Sequence, residues 1–114
     1  MRKQDKKRDN AIRQALTRVC DILLDSQPGF RWLTHTVNYH RFPQSLSIVL
    51  VFENDEDMLA CKTHEHARVG ELVATHLQQE GIALARADRH LHFDSEAACD
   101  AQHNGNWAKR LSSH

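Results

Sequence analysis

The sequence predicts an α+β protein: a three-stranded, mostly antiparallel sheet with helices on one face, in the order α-β-β-α-α-β-α. Three observations lead there. Residues 31–53, RWLTHTVNYHRFPQSLSIVLVFE, alternate with a period of two on both sides of a break at Arg41-Phe42-Pro43-Gln44. Alternation with β-branched and aromatic enrichment is the mark of half-buried strands, and a short Pro-containing break between two of them marks a hairpin. The segments before and after carry their apolar residues at helical spacing instead. A single helix-covered face then needs only one apolar side per strand.

The elements follow in order. Residues 1–5 are expected to be a flexible basic start. From 6 to 25, Ile12, Leu16, Val19 and Leu23 form one stripe, widened by Ala15, Cys20 and Leu24, which is an amphipathic helix. Ser26-Gln27-Pro28-Gly29 ends it. The hairpin strands are predicted at 31–40 and 45–53, with Ile48, Leu50 and Phe52 inward. Glu53-Asn54-Asp55-Glu56-Asp57 is an acidic turn, explained by capping of the next helix, whose positive end favours carboxylates. Met58 to Cys61 reads as a short helical segment. Thr63 is placed to cap a longer helix reaching about Glu80, with Gly70 inside it as a point of kinking or close packing and Gly81 as its C-terminal cap. A third strand is predicted at 83–94, with Leu91 and Phe93 inward and His90 and His92 outward. Ser95 caps a last helix, 96–102, which Asn104-Gly105 stops. Residues 6–103 thus read as one domain and 104–114 as a flexible tail, in which Trp107 and Leu111 are spaced for docking on the body or on a partner.

A chain of 114 residues suits one domain and can bury roughly two-thirds of its unfolded surface. Its 40% hydrophobic and 26% charged content is that of ordinary globular proteins. No apolar run approaches the roughly 18 residues that span a bilayer, so no membrane association is expected. The charged start MRKQDKKRDN is not followed by an apolar stretch of the kind a secretory leader needs. Cys20, Cys61 and Cys99 are odd in number and fall on predicted helices, so reduced thiols, no disulfide and a cytoplasmic protein are expected.

Charge is unevenly spread. Residues 1–18 carry Arg2, Lys3, Lys6, Lys7, Arg8, Arg13 and Arg18 against Asp5 and Asp9, a net of +5, and since the chain sums to zero the remainder is −5. A basic arm on an acidic body can attract polyanions while the molecule stays neutral; a solvated helix start would look the same.

Chemistry-bearing clusters are few. Nine histidines invite a metal site, and Cys61-Lys62-Thr63-His64-Glu65-His66 with His90-Leu91-His92 is the densest set. Zinc needs three or four converging ligands, and this spacing matches no standard zinc motif, so no metal and no cofactor are expected. There is no Gly-x-Ser-x-Gly elbow and no cysteine in a recognisable pattern with a base; His76 lies on an apolar helical stripe. The four glycines are too scattered to cradle a phosphate. No catalytic residue is expected. Nucleic acid fits better. Lys3, Lys6, Lys7, Arg8 and Arg13 can meet phosphates, and Trp32, with His40, His90 and His92, can offer a stacking surface on the open sheet face, unless Trp32 simply packs at the sheet edge.

In its order of elements the chain resembles ribosome-binding factor A, a small protein with a type II KH-like fold. The resemblance covers about residues 8–96. It is carried by the hairpin running into Val51-Phe52-Glu53-Asn54-Asp55-Glu56-Asp57, by Gly70 in the following helical region, and by the strand ending Leu91-His92-Phe93-Asp94. The nearest counterpart of the family's Ala-x-Gly helix interruption is Ala67-Arg68-Val69-Gly70, one residue longer. The resemblance implies a KH-like fold and association with ribosomal RNA. The expected function is therefore non-catalytic binding of RNA or a ribonucleoprotein through the basic helix, with a protein–protein adaptor as the alternative. Salt separates the two, because phosphate contacts weaken steeply with ionic strength and apolar interfaces barely respond.

Overall fold

A computed structural model describes residues 2–112; Met1, at the expected flexible start, and Ser113 and His114, at the end of the expected tail, lie outside the described residues. The elements are α1 (Lys3–Ser26), β1 (Phe30–Thr36), β2 (Ser47–Phe52), α2 (Asp55–His64), α3 (His66–Gln79), β3 (Leu91–Ser95), α4 (Glu96–His103) and α5 (Trp107–Leu111). The fold is α+β in the predicted order. Its sheet is mixed: the order is β1-β2-β3, with β1 antiparallel and β3 parallel to the central strand.

One face of β2 presents Ile48, Leu50 and Phe52 to a core shared with Ile12, Leu16, Val19 and Leu23 of α1 and Val69, Val73 and Leu77 of α3. The helical stripes read from the sequence are thus the faces these helices bury. The other face of β2 is closed as well, with Val49 and Val51 fully buried. There Trp32, paired with Val51, meets Trp107 of α5 edge to face at 4.8 Å. So the segment read as a tail forms a short helix, and that helix lies on the face opposite α1.

Local chemistry explains the boundaries. Residues 3–5, expected to precede the helix, form the first turn of α1. β1 stops at Thr36 rather than His40 because Asn38 turns the chain: its side chain accepts from the His40 amide at 3.0 Å, and a 3-10 turn follows at Tyr39–Arg41. β3 is much shorter than predicted. Its ladder begins at Ile48↔Leu91, and the chain before Ser47 is a turn, so residues 83–90 have no strand to pair with. They cross over instead and end in a 3-10 turn, Ala87–His90.

The helix after the acidic turn is capped as expected, with the Asn54 side chain accepting from the Asp57 amide at 2.8 Å. The break between α2 and α3 falls at Glu65. Gly70 sits inside an unbroken α3, and its reason is close approach: a Cβ there would lie 3.2 Å from backbone atoms of Asp88. Gly81, at φ +84, ends α3 with the Ile82 amide on the Leu77 carbonyl and its own amide on that of Gln78, the left-handed cap that glycine tolerates best.

Leu16 is 2% exposed at the centre of the α1 stripe. Leu16→Ala should cost about 2–5 kcal/mol in chemical denaturation. A loss below about half a kcal/mol would show that α1 is not docked on the sheet.

Candidate nucleic-acid interface

The arm residues divide into two sets. Lys3, Lys6 and Lys7 are exposed on the first turns of α1, where spacings of three and four put them on one side. No hydrogen bond or ion pair among the described residues engages their side chains. Arg8 and Arg13 are instead structural. The Arg8 guanidinium lies over the Phe42 ring, 4.8 Å from its centre, and 3.8 Å from Asp5. Arg13 donates to Asp9 at 2.7 Å.

Asp9 is the hub that fixes this end. Besides Arg13 it accepts from the Tyr39 hydroxyl at 3.0 Å, and His35 Nε2 is 3.5 Å away. The Arg13 hydrogen bond, followed by that of Tyr39, holds the Asp9 carboxyl below its ordinary value against the opposing effect of burial. Burial, with the anionic acceptor beside it, pushes the Tyr39 phenol up to about 12. Tyr39 also stacks on Phe42. The hairpin connection is thereby pinned to the N-terminal half of α1.

This contact sets the polarity of the molecule. Asp9 meets Tyr39 at the end of the sheet that carries the β1–β2 connection. Because β3 runs parallel to β2, Arg89 and His90 arrive at that same end. The acidic turn 53–57 lies at the far end of β2, where Phe30 and Phe52 are paired. Charge segregates accordingly. Arg8, Arg13, Arg18, Arg31, Arg68, Arg86 and Arg110 each pair with a carboxylate. Among the described residues Arg2, Arg41 and Arg89 do not, and all three are exposed at the end that holds Lys3, Lys6 and Lys7. Sequence reasoning missed Arg41 and Arg89, because only the pairing of the strands brings them to the arm.

Trp32 does not join this surface. It lies on the sheet face opposite α1, half-buried under Trp107, with its indole N–H directed to Glu96 at 3.3 Å. His92, paired with Val49, shares that face with Trp32, paired with Val51, but Trp107 packs on the Trp32 ring, so the open stacking surface expected from Trp32, His40, His90 and His92 is not formed at Trp32. His40 is in the 3-10 turn after β1, and the His90 ring is held through Nδ1 at 2.7 Å from the Leu46 carbonyl. α5 is anchored beside Trp32 by a two-pronged bond from Arg110 to Asp94, 2.6 Å and 2.8 Å, with the side chains only 13% and 5% exposed.

A groove of about 740 Å³ runs between α1 and β1, lined among others by Leu16, Cys20, Leu33, His35 and Tyr39. Burial raises the Cys20 thiol, partly offset by a hydrogen bond from the Leu33 backbone. Burial also raises Cys99 and pushes Cys61 up to about 11. These are protonated thiols at neutral pH, the opposite of an activated nucleophile. All three cysteines are free. Nor do the histidine clusters converge. Cys61 is in the core, while His66 reaches the Asp88 carbonyl at 2.7 Å and packs on Phe93. Among the described residues no group of three or more His, Cys, Asp or Glu side chains is placed to hold a metal ion. Among them, too, no helix is long and apolar enough to cross a membrane.

No family model, curated protein or solved structure matches the chain.

Two expectations follow from the two anchors. Asp9→Asn should cost about 1–2 kcal/mol at neutral pH through weakened bonds to Arg13 and Tyr39. Because the folded carboxyl titrates below its ordinary value of 3.8, the wild-type advantage should be fully present above that value. It should fade as pH falls through the lowered folded value, which denaturation of both proteins between acid and neutral pH would reveal. Arg110→Ala, which removes the two-pronged cation from the buried Asp94, should cost about 3–5 kcal/mol. Unchanged thermal stability would show that α5 is not anchored there.

Proposed function

We propose that this protein is a non-catalytic binding module that engages RNA, alone or within a ribonucleoprotein, through the end of the molecule bearing Lys3, Lys6 and Lys7. The observation that carries this reading is the segregation of uncompensated cations. Among the described residues eight cations have no carboxylate partner, and six of them, Arg2, Lys3, Lys6, Lys7, Arg41 and Arg89, belong to this end, the other two being Lys62 on α2 and Lys109 on α5. A phosphate backbone is attracted by cations that give up only counterions and water, not internal partners. The acidic far end orients the approach, since like charge there disfavours the reverse encounter.

The resemblance to ribosome-binding factor A points the same way and supplies RNA as the polyanion. The present chain differs from that family's pattern in placing its helix break at Glu65 rather than at a glycine. The second reading, a protein–protein adaptor, draws on Leu24 and Leu59, which are 51% and 52% exposed away from the basic end.

Replacing Lys3, Lys6 and Lys7 together by Gln should abolish measurable association with a single-stranded RNA oligonucleotide at low ionic strength. The melting temperature should be nearly unchanged, because none of the three side chains makes a hydrogen bond or ion pair among the described residues. For the wild type, three lysine contacts alone predict a slope of about −2 in log affinity against log salt. If the wild type shows no salt-sensitive association, the RNA reading fails and the adaptor takes its place.

A further inference from the structure

Between the hairpin connection and the start of β3 lies a second, smaller depression of about 480 Å³. Its lining includes Thr36, Gln44, Ser47, Arg89, His90 and His92. Its chemistry is one-sided. It contains an arginine, two imidazoles, hydroxyls and an amide, and among the described residues no carboxylate lines it. Asp88, the acid next to Arg89 in sequence, is committed to Arg86 through two hydrogen bonds of 3.2 Å and 3.0 Å. Two further features make this more than a basic patch. Ser47 Oγ is buried without a hydrogen-bond partner among the described residues, a hydroxyl whose desolvation nothing internal offsets. The His90 ring is oriented by its Nδ1 contact with the Leu46 carbonyl, which leaves Nε2 as the ring atom able to meet a ligand.

We infer that this depression is a phosphate subsite, in which Arg89 meets the oxygens of one phosphate group and the Ser47 hydroxyl turns to donate to it, while His90, whose Nδ1–H goes to the Leu46 carbonyl, accepts at Nε2 from a hydroxyl of the ligand. The inference rests on the RNA reading for its ligand, since the backbone of a strand held by the lysine arm would supply the phosphate. A free inorganic phosphate would present the same oxygens to the same donors. Arginine suits the task because its planar fork matches phosphate oxygens in pairs. The subsite also gives the bound strand a second fixed point, reached across the hairpin connection from α1. The pairing of β2 with both neighbours fixes that separation.

The test compares wild type with Arg89→Gln and Ser47→Ala, using Lys109→Gln on α5 as a charge-matched control, by titration with the same RNA oligonucleotide at several salt concentrations. Arg89→Gln should weaken binding several-fold at low salt and reduce the magnitude of the salt slope by about 0.7, one phosphate contact on a single strand. Ser47→Ala should weaken binding with little change in slope, and Lys109→Gln should do neither. If wild type binds RNA with a salt-dependent affinity and Arg89→Gln is indistinguishable from it, the subsite is refuted while the RNA reading stands. If wild type does not bind RNA at all, the RNA reading fails, and titration with inorganic phosphate followed through the His90 ring resonances decides the subsite alone. Saturable shifts that Arg89→Gln abolishes would uphold it, and unmoved resonances would overturn it.

Discussion

Strand β2 is paired along both edges and buried on both faces, and the rest of the molecule is arranged by that constraint. Ile48, Leu50 and Phe52 require helices on one side, which α1 and α3 supply. Val49 and Val51 require cover on the other, where Trp32 and the docked Trp107 contribute. A run of five buried apolar residues is what a central strand in contact with a parallel neighbour needs, rather than the alternation of a strand with one wet face. The parallel ladder with β3 demands a crossover, and α2 and α3 are that crossover. It also fixes which ends of the elements meet. The first residues of α1, the hairpin connection and the turn before β3 all come to one end, and the acidic turn is sent to the other.

Much of this was legible in the residues. Helical spacing of Ile12, Leu16, Val19 and Leu23 names the buried side of α1, and Asn54, Gly81, Ser95 and Asn104 stand where chain termini of helices require them. Local preference sufficed there because each signal lies within a few residues of its effect. What was not legible depends on partners distant in sequence. Residues 83–90 have apolar residues enough for a strand, but whether they form one depends on β2 having residues to pair with, and its ladder starts at Ile48. A five-residue α5 has too little periodicity to announce itself. It is held by Arg110 reaching Asp94 and by Trp107 reaching Trp32, neither of which local sequence reports.

The candidate site divides along the same line. The lysines of the arm were visible as a charge run. Their joining with Arg41 and Arg89 was not, because only the fold brings three separate turns together. Trp32 shows the converse error. An aromatic residue on the predicted open face is an attractive platform for a base, yet an apolar ring beside a buried Val51 is also what a short helix would cover. Burial of the ring against Trp107 removes more apolar surface from water than an open platform could.

The division of labour between the two basic residue types is the last consequence. Arginine loses less solvation than lysine when it pairs, stacks on aromatic rings, and meets carboxylates with two parallel bonds. The chain uses it in that way at Arg8 over Phe42, Arg13 on Asp9, Arg18 on Glu80 and Arg110 on Asp94. Lysine is a strongly hydrated point charge that gains little from such fixed contacts, and Lys3, Lys6 and Lys7 are left in water. Arginines that escape internal pairing are therefore the informative ones. Arg89, with an unpaired Ser47 hydroxyl and an oriented imidazole lining the same depression, is where the fold has left a planar cation unspent.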